Sequence, residues 1–295
     1  MQIKLNNIRF RHGKPKKREK IDPSSLILKG LDLTIESGSK VAIAGLSGSG
    51  KSTFLQLIKG FTQPTEGIVE LDGINPHLDK RLELFDQIGY VFQYPEHQLF
   101  APTVAEDVGF GLRHAKLTAL EKETKIRQAL EAVGMQDSVF SQRSPLELSG
   151  GEKRRVAIAG VLVLEPKVLL LDEPTAGLDM SSRIALFELL KNLNEEQGTT
   201  VIWVSHQLEE ILEHAPRMLA LHQGVFVADG APEEQLASES LRSLFGWEEP
   251  PALTLRRWLY ENHGIDISRP WLVEEMAKAC QSILVRNVPC PQAVI

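Results

Sequence analysis

The stretch that decides the interpretation is K-V-A-I-A-G-L-S-G-S-G-K-S, residues 40–52. Its first five residues form a short, β-branched apolar run, which is typical of a strand buried on both faces. Gly45 to Ser52 then fits the pattern G-x-x-x-x-G-K-[ST] at every fixed position. The sequence therefore predicts a strand, a glycine-rich turn and a helix over about 52–59, in direct succession.

A turn of this kind predicts a phosphate-binding site. Its glycines let backbone N–H groups converge on phosphate oxygens, and the N-terminus of the following helix adds partial positive charge. Lys51 is expected to reach the β- and γ-phosphates of a nucleotide, and the Ser52 hydroxyl to ligate Mg²⁺. A turn that binds no nucleotide is the alternative, but its place between strand and helix argues against it. The residues expected to contact the nucleotide are Gly45, Ser47, Gly48, Ser49, Gly50, Lys51, Ser52 and Thr53.

Buried-strand runs recur at 167–171 and 200–204, with a helical pattern over 181–197 between them. Buried strands that alternate with helices predict an α/β core with a largely parallel sheet. Alternating residues at 2–10 and 28–35 predict two further, half-buried strands.

Two helical regions are predicted outside this strand–helix alternation, one inserted within it and one after it. Amphipathic and apolar patterns at 118–133 and 150–164 predict a helical subdomain over about 94–164, inserted into the core. Two more helices, predicted at 253–262 and 270–284, form a C-terminal extension. We accordingly expect one domain over 1–235 and a helical extension over 236–295.

Composition limits the possible functions. The chain of 295 residues has a net charge of −6, which does not favour charge-driven binding of nucleic acid. The basic stretch 13–25 could be a nucleic-acid or lipid-headgroup patch, but a solvated loop is the preferred interpretation. Two cysteines, Cys280 and Cys290, match neither a disulfide framework nor a zinc site, which suits a reducing cytosol.

No membrane-spanning or secretory pattern is predicted. The longest apolar run, 156–164, is well short of the roughly 20 residues that a spanning helix needs. The N-terminus lacks the apolar region of a signal peptide. We expect a soluble chain whose membrane role, if any, comes through a partner.

A carboxylate pair, Asp172-Glu173, follows the strand predicted at 167–171. Ligand chemistry in α/β proteins concentrates at the carboxyl ends of parallel strands. Asp172 is therefore a candidate to support Mg²⁺, and Glu173 a candidate base that polarises an attacking water. An Asp-Glu pair alone is usually a solvated loop, and the phosphate loop upstream favours the functional interpretation.

Further motifs complete a recognisable set. L-S-G-G-E, residues 148–152, precedes an apolar helix, and alone it would indicate no more than a helix N-cap. Together with the phosphate loop, this sequence resembles the ABC-type ATPases over about residues 2–235. The motifs that complete the resemblance are Gln93, L-L-L-D-E-P at 169–174, A-G-L-D at 176–179 and Ser205-His206.

The resemblance implies a P-loop ATPase fold, ATP as ligand and a role for each motif. Gln93 is expected to contact Mg²⁺ and the attacking water, which gives Ser52, Gln93 and Asp172 as the metal-site residues. His206 is expected to contact the γ-phosphate, and Glu173, His206 and Gln93 form the implied catalytic set. Ser149, Gly150 and Gly151 are expected to contact the γ-phosphate held by a second protomer, and Asp179 to lie at that interface.

The sequence departs from the family's pattern at one position. The family usually places an aromatic ring, often tyrosine, near residue 12, where it stacks on adenine. Here His12 occupies that place, and its smaller ring predicts looser base selectivity. Phe10, two residues earlier, is the alternative stacking residue.

The stretch 90–112 indicates which class of ABC-type ATPases this sequence resembles most. P-E-H-Q-L-F at 95–100, followed by T-V-A-E-D-V at 103–108, resembles the ATPases of energy-coupling factor transporters, which import vitamins and transition-metal ions. This implies a second ABC ATPase, in a homo- or heterodimer, a separate transmembrane coupling subunit and a small substrate-binding membrane protein. It implies a peripheral location on the cytoplasmic face of the cell membrane and no nucleic-acid partner.

Three alternatives stay open from the sequence. The chain could serve another class of ABC transporter, or, with less support, act as a soluble ABC ATPase in DNA repair or translation. The apolar residues of the C-terminal extension, Leu253, Leu255, Trp258 and Leu259, fit a dimer contact and plain packing equally well.

Overall fold

The computed structural model describes residues 1–13, 22–267 and 273–287. Most of the basic stretch at 13–25 lies outside these residues. The strands are β1 Ile3–Phe10, β2 Leu28–Ile35, β3 Lys40–Ala44, β4 Glu66–Leu71, β5 Ile88–Val91, β6 Val168–Asp172, β7 Thr200–Val204, β8 Arg217–His222 and β9 Val225–Gly230. The helices are α1 Lys51–Lys59, α2 Val104–Val108, α3 Ala119–Ala132, α4 Asp137–Phe140, α5 Gly150–Leu162, α6 Met180–Gln197, α7 Leu208–His214, α8 Pro232–Ala237, α9 Glu239–Phe245, α10 Pro251–His263 and α11 Val273–Asn287.

A six-stranded sheet in the order β5-β6-β7-β3-β8-β9 carries the predicted site residues. β5 and β6, β6 and β7, and β7 and β3 pair in parallel. Asp172 at the end of β6 lies opposite Val204 at the end of β7, and Val204 lies opposite Ile43 of β3. The carboxyl ends of these strands therefore share one edge, and the loops that follow them emerge together. The predicted α/β fold is confirmed.

A second, antiparallel sheet of three strands has the order β2-β1-β4. The alternation of β1 is broken between Leu5 and Ile8, where the register shifts and Asn7 has a φ of +47°. This irregularity keeps Ile8 on the buried face with Ile3 and Leu5. One apolar core contains residues of both sheets and of α1. β4 was not predicted, because its first three residues are exposed and give no clear alternation.

Helices α2 to α5 occupy the region between β5 and β6. The helices predicted at 118–133 and 150–164 are present as α3 and α5. Each begins with a capping box, in which a side-chain hydroxyl and a glutamate three residues later satisfy each other's backbone N–H groups. The bounds of 94–164 for a subdomain stay a prediction.

The chain divides into two compact units, Met1–His206 with Leu219–Val227, and Gln207–Met218 with Ala228–Ile295. In the second unit Leu259, Ile267 and Ala279 form a small core, against which Leu255 packs. Trp258 is half exposed. Leu253 is buried as well. Three of the four apolar residues singled out in the extension therefore have a packing role, and the domain boundary at 235 stays a prediction. No helix within the described ranges is long and apolar enough to cross a bilayer.

Candidate active site

The phosphate loop between β3 and α1 requires glycine at two positions. Gly45 has a φ of +153°, and a Cβ there would lie 2.3 Å from the Leu221 carbonyl oxygen. Gly50 has a φ of +107° and is the N-cap of α1, where no side chain caps the helix. The first N–H groups of α1 therefore have no side-chain acceptor, which leaves them available to an anion.

Lys51 lies beneath this loop, with 6% of its surface exposed. Its Nζ donates to the carbonyl oxygens of Gly45 and Leu46, each at 2.9 Å. Burial lowers the pKa of Lys51, and the charges of Glu173 and Asp172 partly oppose that shift. The ammonium group is thus held at the loop by weak, neutral acceptors that a phosphate can replace.

Asp172, at the end of β6, is also buried. The Tyr90 hydroxyl on the neighbouring strand donates to Asp172 Oδ2 at 3.2 Å. Burial raises the pKa of Asp172, while hydrogen bonds from Ser52 and Tyr90 act in the opposite direction. Burial and the Asp172 charge together raise the pKa of Tyr90. Burial therefore disfavours the charged form of this carboxylate, and a bound cation would favour it.

Glu173 brings the three implied catalytic residues together. Its Oε2 accepts a hydrogen bond from Gln93 Nε2 at 2.8 Å, and its Oε1 lies 2.5 Å from His206 Nε2. Its backbone is left-handed, with a φ of +49°, which is uncommon for a residue with a side chain. Three segments that follow β5, β6 and β7 therefore meet at one carboxylate.

These residues line a cleft of about 540 Å³. Its lining comprises Ile27, Ser47, Gly48, Gly50, Lys51, Ser52, Thr53, Gln93, Glu173 and His206. Another cavity, of about 610 Å³, contains none of the predicted site residues, so chemistry rather than volume locates the site. Of the residues predicted for the nucleotide and metal, His12, Gly45, Ser49, Asp172 and Ser149–Gly151 do not line the cleft.

The S-G-G segment caps helix α5. The Ser149 hydroxyl accepts from Glu152 N at 3.3 Å, and Glu152 Oε2 accepts from Ser149 N and from the Ser149 hydroxyl, each at 2.8 Å. The hydrogen bond from Ser149 N lowers the pKa of Glu152. A carboxylate of the chain itself therefore occupies the N-terminus of α5. Asp179 caps α6 in a similar way, accepting from Ser182 N at 2.8 Å.

His12 is exposed, and its ring lies 5.3 Å from that of Phe10, edge to face. Phe10 is buried in the core and offers no open face. Ile27, whose N–H donates to Phe10 O at 2.8 Å, lines the cleft beside the phosphate loop. Sequence reasoning missed Ile27, since it lies within the apolar run 26–28, where nothing separates a cleft residue from a core residue. His12 as the adenine contact stays a prediction.

Two buried partners were also missed. Tyr90 contacts Asp172, as described above, and Arg154 pairs with Glu96 through its Nε at 3.2 Å. Each pair joins residues far apart in sequence, so no local spacing marks it. The charged run 152–155, ahead of the apolar part of α5, was the one available signal.

Comparison with known proteins shows which protein family this chain belongs to. The ABC transporter family matches residues 28–176. The chain is 38% identical over 290 residues to the energy-coupling factor transporter ATP-binding protein EcfA2 of Clostridium perfringens, which covers 97% of this chain and 99% of the relative. This chain belongs to the ABC transporter family. A second EcfA2, from Bacillus cereus, is 40% identical over 281 residues and covers 92% of both chains.

Solved structures agree with this assignment. The ABC protein resembles cbiO1 of Clostridium perfringens, part of the ABC transporter complex cbiONQ, with a TM-score of 0.71 and 31% identity, covering 89% of this chain and 95% of that one. It also resembles the cassette MJ0796, solved as a dimer in a post-hydrolysis state with ADP and Pi, with a TM-score of 0.65 and 31% identity, covering 78% and 98%. The predicted kinship with ABC-type ATPases of energy-coupling factor transporters is confirmed.

Proposed function

We propose that this ABC-type ATPase binds ATP and Mg²⁺ in the cleft at the carboxyl edge of β3, β6 and β7, and hydrolyses the ATP there to energise a membrane importer. The observation that carries the proposal is the Glu173 carboxylate, which contacts Gln93 and His206 in the cleft that Lys51 also lines. A base, an orienting amide and an imidazole are the groups that hydrolysis of a phosphoanhydride needs near the water.

Each residue has a defined task in this proposal. Lys51 exchanges the carbonyls of Gly45 and Leu46 for phosphate oxygens, and the open N-terminus of α1 binds the same anion. Glu173 accepts a proton from the attacking water, which Gln93 orients. His206 contacts the γ-phosphate from the end of β7.

The residues fit Mg²⁺. Mg²⁺ prefers oxygen ligands and is usually bound by one or two carboxylates together with substrate phosphates. The Ser52 hydroxyl is exposed in the cleft, and Asp172 beside it is a buried carboxylate whose pKa is raised. Ser52, Gln93 and Asp172 would hold the ion, which when bound would neutralise charge on the phosphates.

A second ABC ATPase would complete each site. Ser149 and Gly150 are exposed, and neither lines the cleft of its own chain. Their position at the N-terminus of α5 suits contact with an anion held by another protomer, with Asp179 at the same interface. The MJ0796 dimer with ADP and Pi supports this arrangement. This chain has both the cleft residues for one site and the S-G-G segment for the other. Two copies of it, or one copy with a different ABC ATPase, could therefore each form two complete sites.

The segment that follows Gln93 suits a membrane partner. Phe100 and Phe110 are exposed, with rings 4.8 Å apart and edge to face, and the Arg113 guanidinium lies 4.8 Å over Phe110. Together they line a groove of about 580 Å³. Exposed aromatic rings beside an arginine are typical of interface hot spots. We assign this groove to a helix of a transmembrane coupling subunit, which would hold the protein at the cytoplasmic face of the cell membrane.

The variant Glu173→Gln tests the proposed hydrolysis. Because the amide cannot accept a proton, we expect kcat to fall by roughly 100- to 10,000-fold while ATP affinity is retained. Size-exclusion chromatography with ATP and Mg²⁺ should show a stable dimer. Glu70→Gln, which changes a carboxylate of the antiparallel sheet, should behave as wild type. Normal hydrolysis by Glu173→Gln would refute the assignment.

Capture of the chain from detergent-solubilised native membranes tests the partners. An energy-coupling factor assembly should yield a transmembrane subunit and a small substrate-binding membrane protein, whose bound molecule identifies a vitamin or a metal ion. A transmembrane subunit without the small protein would point to another class of ABC transporter. Recovery of the chain only from the soluble fraction would overturn the membrane proposal.

A further inference from the structure

The guanidinium of Arg154, in helix α5, is the most extensively bonded buried charge in the described part of the site. The side chain is 5% exposed, and arginine is rarely buried to this degree unless it is paired. Its Nε and Nη2 each donate to the Glu96 carboxylate at 3.2 Å. Its Nη1 donates to Ala176 O at 2.7 Å, with Pro174 O at 3.4 Å. Nη2 also lies 3.5 Å from Gln93 O.

These bonds join three segments with separate tasks in the proposed function. Arg154 lies in the helix that begins at the S-G-G segment. Glu96 lies between Gln93 and Phe100, in the stretch that leads to the aromatic groove. Ala176 lies in the loop that follows Glu173, and its N–H donates to Glu173 O at 3.2 Å. Two hydrogen bonds in series therefore connect the guanidinium with the backbone of the catalytic glutamate.

We propose that the Arg154–Glu96 pair is a positioning device that couples the partner-docking segment to the catalytic carboxylate. A partner that moves residues 94–100 moves Glu96, and the guanidinium carries that displacement to Ala176 and so to Glu173. The proposal rests on the function proposed above and adds the residues that perform the coupling. Neither side chain touches the reacting atoms.

The chemistry of arginine suits this task. Its planar fork of N–H donors can bind a carboxylate with two hydrogen bonds and still reach backbone carbonyls on the other side, which a lysine ammonium cannot do with the same geometry. Separating the two side chains would leave an uncompensated buried charge, which is costly. A displacement of one side chain is therefore expected to move the other. The pair of Lys125 and Glu165, at 2.5 Å, is more exposed than this pair and joins no catalytic segment.

The variant Glu96→Gln tests the link in the purified full-length chain. It keeps the size and one acceptor of the side chain but removes its charge, so the guanidinium that donates to Ala176 O is no longer held in place by a carboxylate. We expect kcat for ATP to fall roughly tenfold, since small misplacements of catalytic groups are costly, with KM within twofold of wild type. Glu165→Gln, a matched loss of an ion pair, should leave both constants unchanged. Wild-type kcat for Glu96→Gln would overturn the proposal.

A double variant separates positioning from stability. Glu96→Gln with Arg154→Gln removes both buried charges, so resistance to urea should recover relative to Glu96→Gln alone. The double variant has no guanidinium to donate to Ala176 O, so kcat should stay low. If kcat recovers together with stability, the pair is structural only and the proposal fails.

The same two variants in the membrane assembly test the coupling itself. Wild type should change its ATPase rate on assembly with its membrane partners, and an unchanged rate would refute the coupling role. Glu96→Gln should show a ratio of assembled to isolated rate near one, and Glu165→Gln the wild-type ratio. A wild-type ratio in Glu96→Gln refutes the coupling role. If Glu173→Gln hydrolyses ATP normally, the proposed function fails. If Glu173→Gln behaves as expected while Glu96→Gln is wild type, only this inference fails.

Discussion

Helices α1 and α5 both begin at glycine-containing turns that suit anions, yet their N-termini are in opposite states. The N-cap of α1 is Gly50, which has no side chain to cap the helix. The N-cap of α5 is Ser149, and the Glu152 carboxylate accepts from both its N–H and its hydroxyl. One terminus is left open for a ligand, and the other is satisfied by a negative charge from its own helix.

The contrast extends to the surrounding charges. Near α1, Lys51 and Asp172 are both buried, and burial shifts each pKa toward the neutral form. Near α5, hydrogen bonding instead favours the charged form of Glu152. The buried charges near α1 therefore destabilise the folded protein when no ligand is bound, whereas the N-terminus of α5 is already stabilised by Glu152. In the proposed dimer, a phosphate held by the second protomer would have to compete with Glu152 for this helix N-terminus.

Loss of the Lys51 charge should give the largest change. We expect Lys51→Ala to bind ATP–Mg²⁺ roughly 100-fold more weakly, because charge-assisted hydrogen bonds contribute about 1.5–3 kcal/mol and 1.4 kcal/mol is tenfold. Titration calorimetry measures this directly. Lys59→Ala is the matched control, since that lysine lies in the same helix and its Nζ donates to Phe85 O at 2.8 Å. Equal affinities for Lys51→Ala and wild type would contradict the open-site interpretation.

Neutralising Asp172 should make the nucleotide-free protein more stable. Burial raises the pKa of Asp172 above its ordinary value of 3.8, so as the pH rises the unfolded chain releases this proton before the folded protein does. The favourable contribution is complete below pH 3.8 and is lost as the pH rises through the folded-state pKa. At pH 7, Asp172→Asn should therefore be more stable than wild type by about 1 kcal/mol.

Urea unfolding across the acidic and neutral range measures this difference. The gap between Asp172→Asn and wild type should close as the pH falls toward 4, and ATP with Mg²⁺ should stabilise wild type more than the variant. A gap that does not change with pH would show that Asp172 bears no stability cost.

Removing the charge of Glu152 should give the smallest change. Glu152→Gln keeps the capping hydrogen bonds but removes the carboxylate that competes with a phosphate. Charges at helix N-termini contribute about 0.3–1 kcal/mol, so the ATP concentration for half-maximal hydrolysis should fall roughly two- to fivefold. Glu121→Gln changes the same capping box on α3, where Thr118 is the cap. The same kinetic effect from both variants would remove the special role of α5.

The phosphate loop and the order of strands could be predicted because their signals are local. Gly45 to Ser52 carries its chemistry in the spacing of adjacent residues, and the apolar runs at β3, β6 and β7 are continuous. Parallel pairing then predicts that Glu173 and His206 share an edge. The membership of Gln93 in the same catalytic set was implied by the family resemblance, since nothing near residue 93 alone indicates it.

The buried pairs could not be predicted, for a physical reason. Tyr90 meets Asp172 only because β5 lies beside β6 in the sheet. Arg154 meets Glu96 across 58 residues of sequence, through the packing of a helix against a loop. Strands β4, β8 and β9 also lacked a clear period. The residues of β4 and β9 are partly exposed, so hydrophobic alternation is weak. The centre of β8, residues 218–221, is instead a short buried run, whose periodicity does not separate a strand from a helix.

The place of β3 in the middle of the sheet also matters during synthesis. β3 has been made by residue 44, but its neighbours are β7 at 200–204 and β8 at 217–222. At about 5–20 residues per second, the ribosome takes roughly 10 to 30 s to cover that interval. Throughout it, the phosphate loop has no parallel neighbour to hold its strand. The nascent chain therefore cannot form the complete nucleotide site until translation has passed His206.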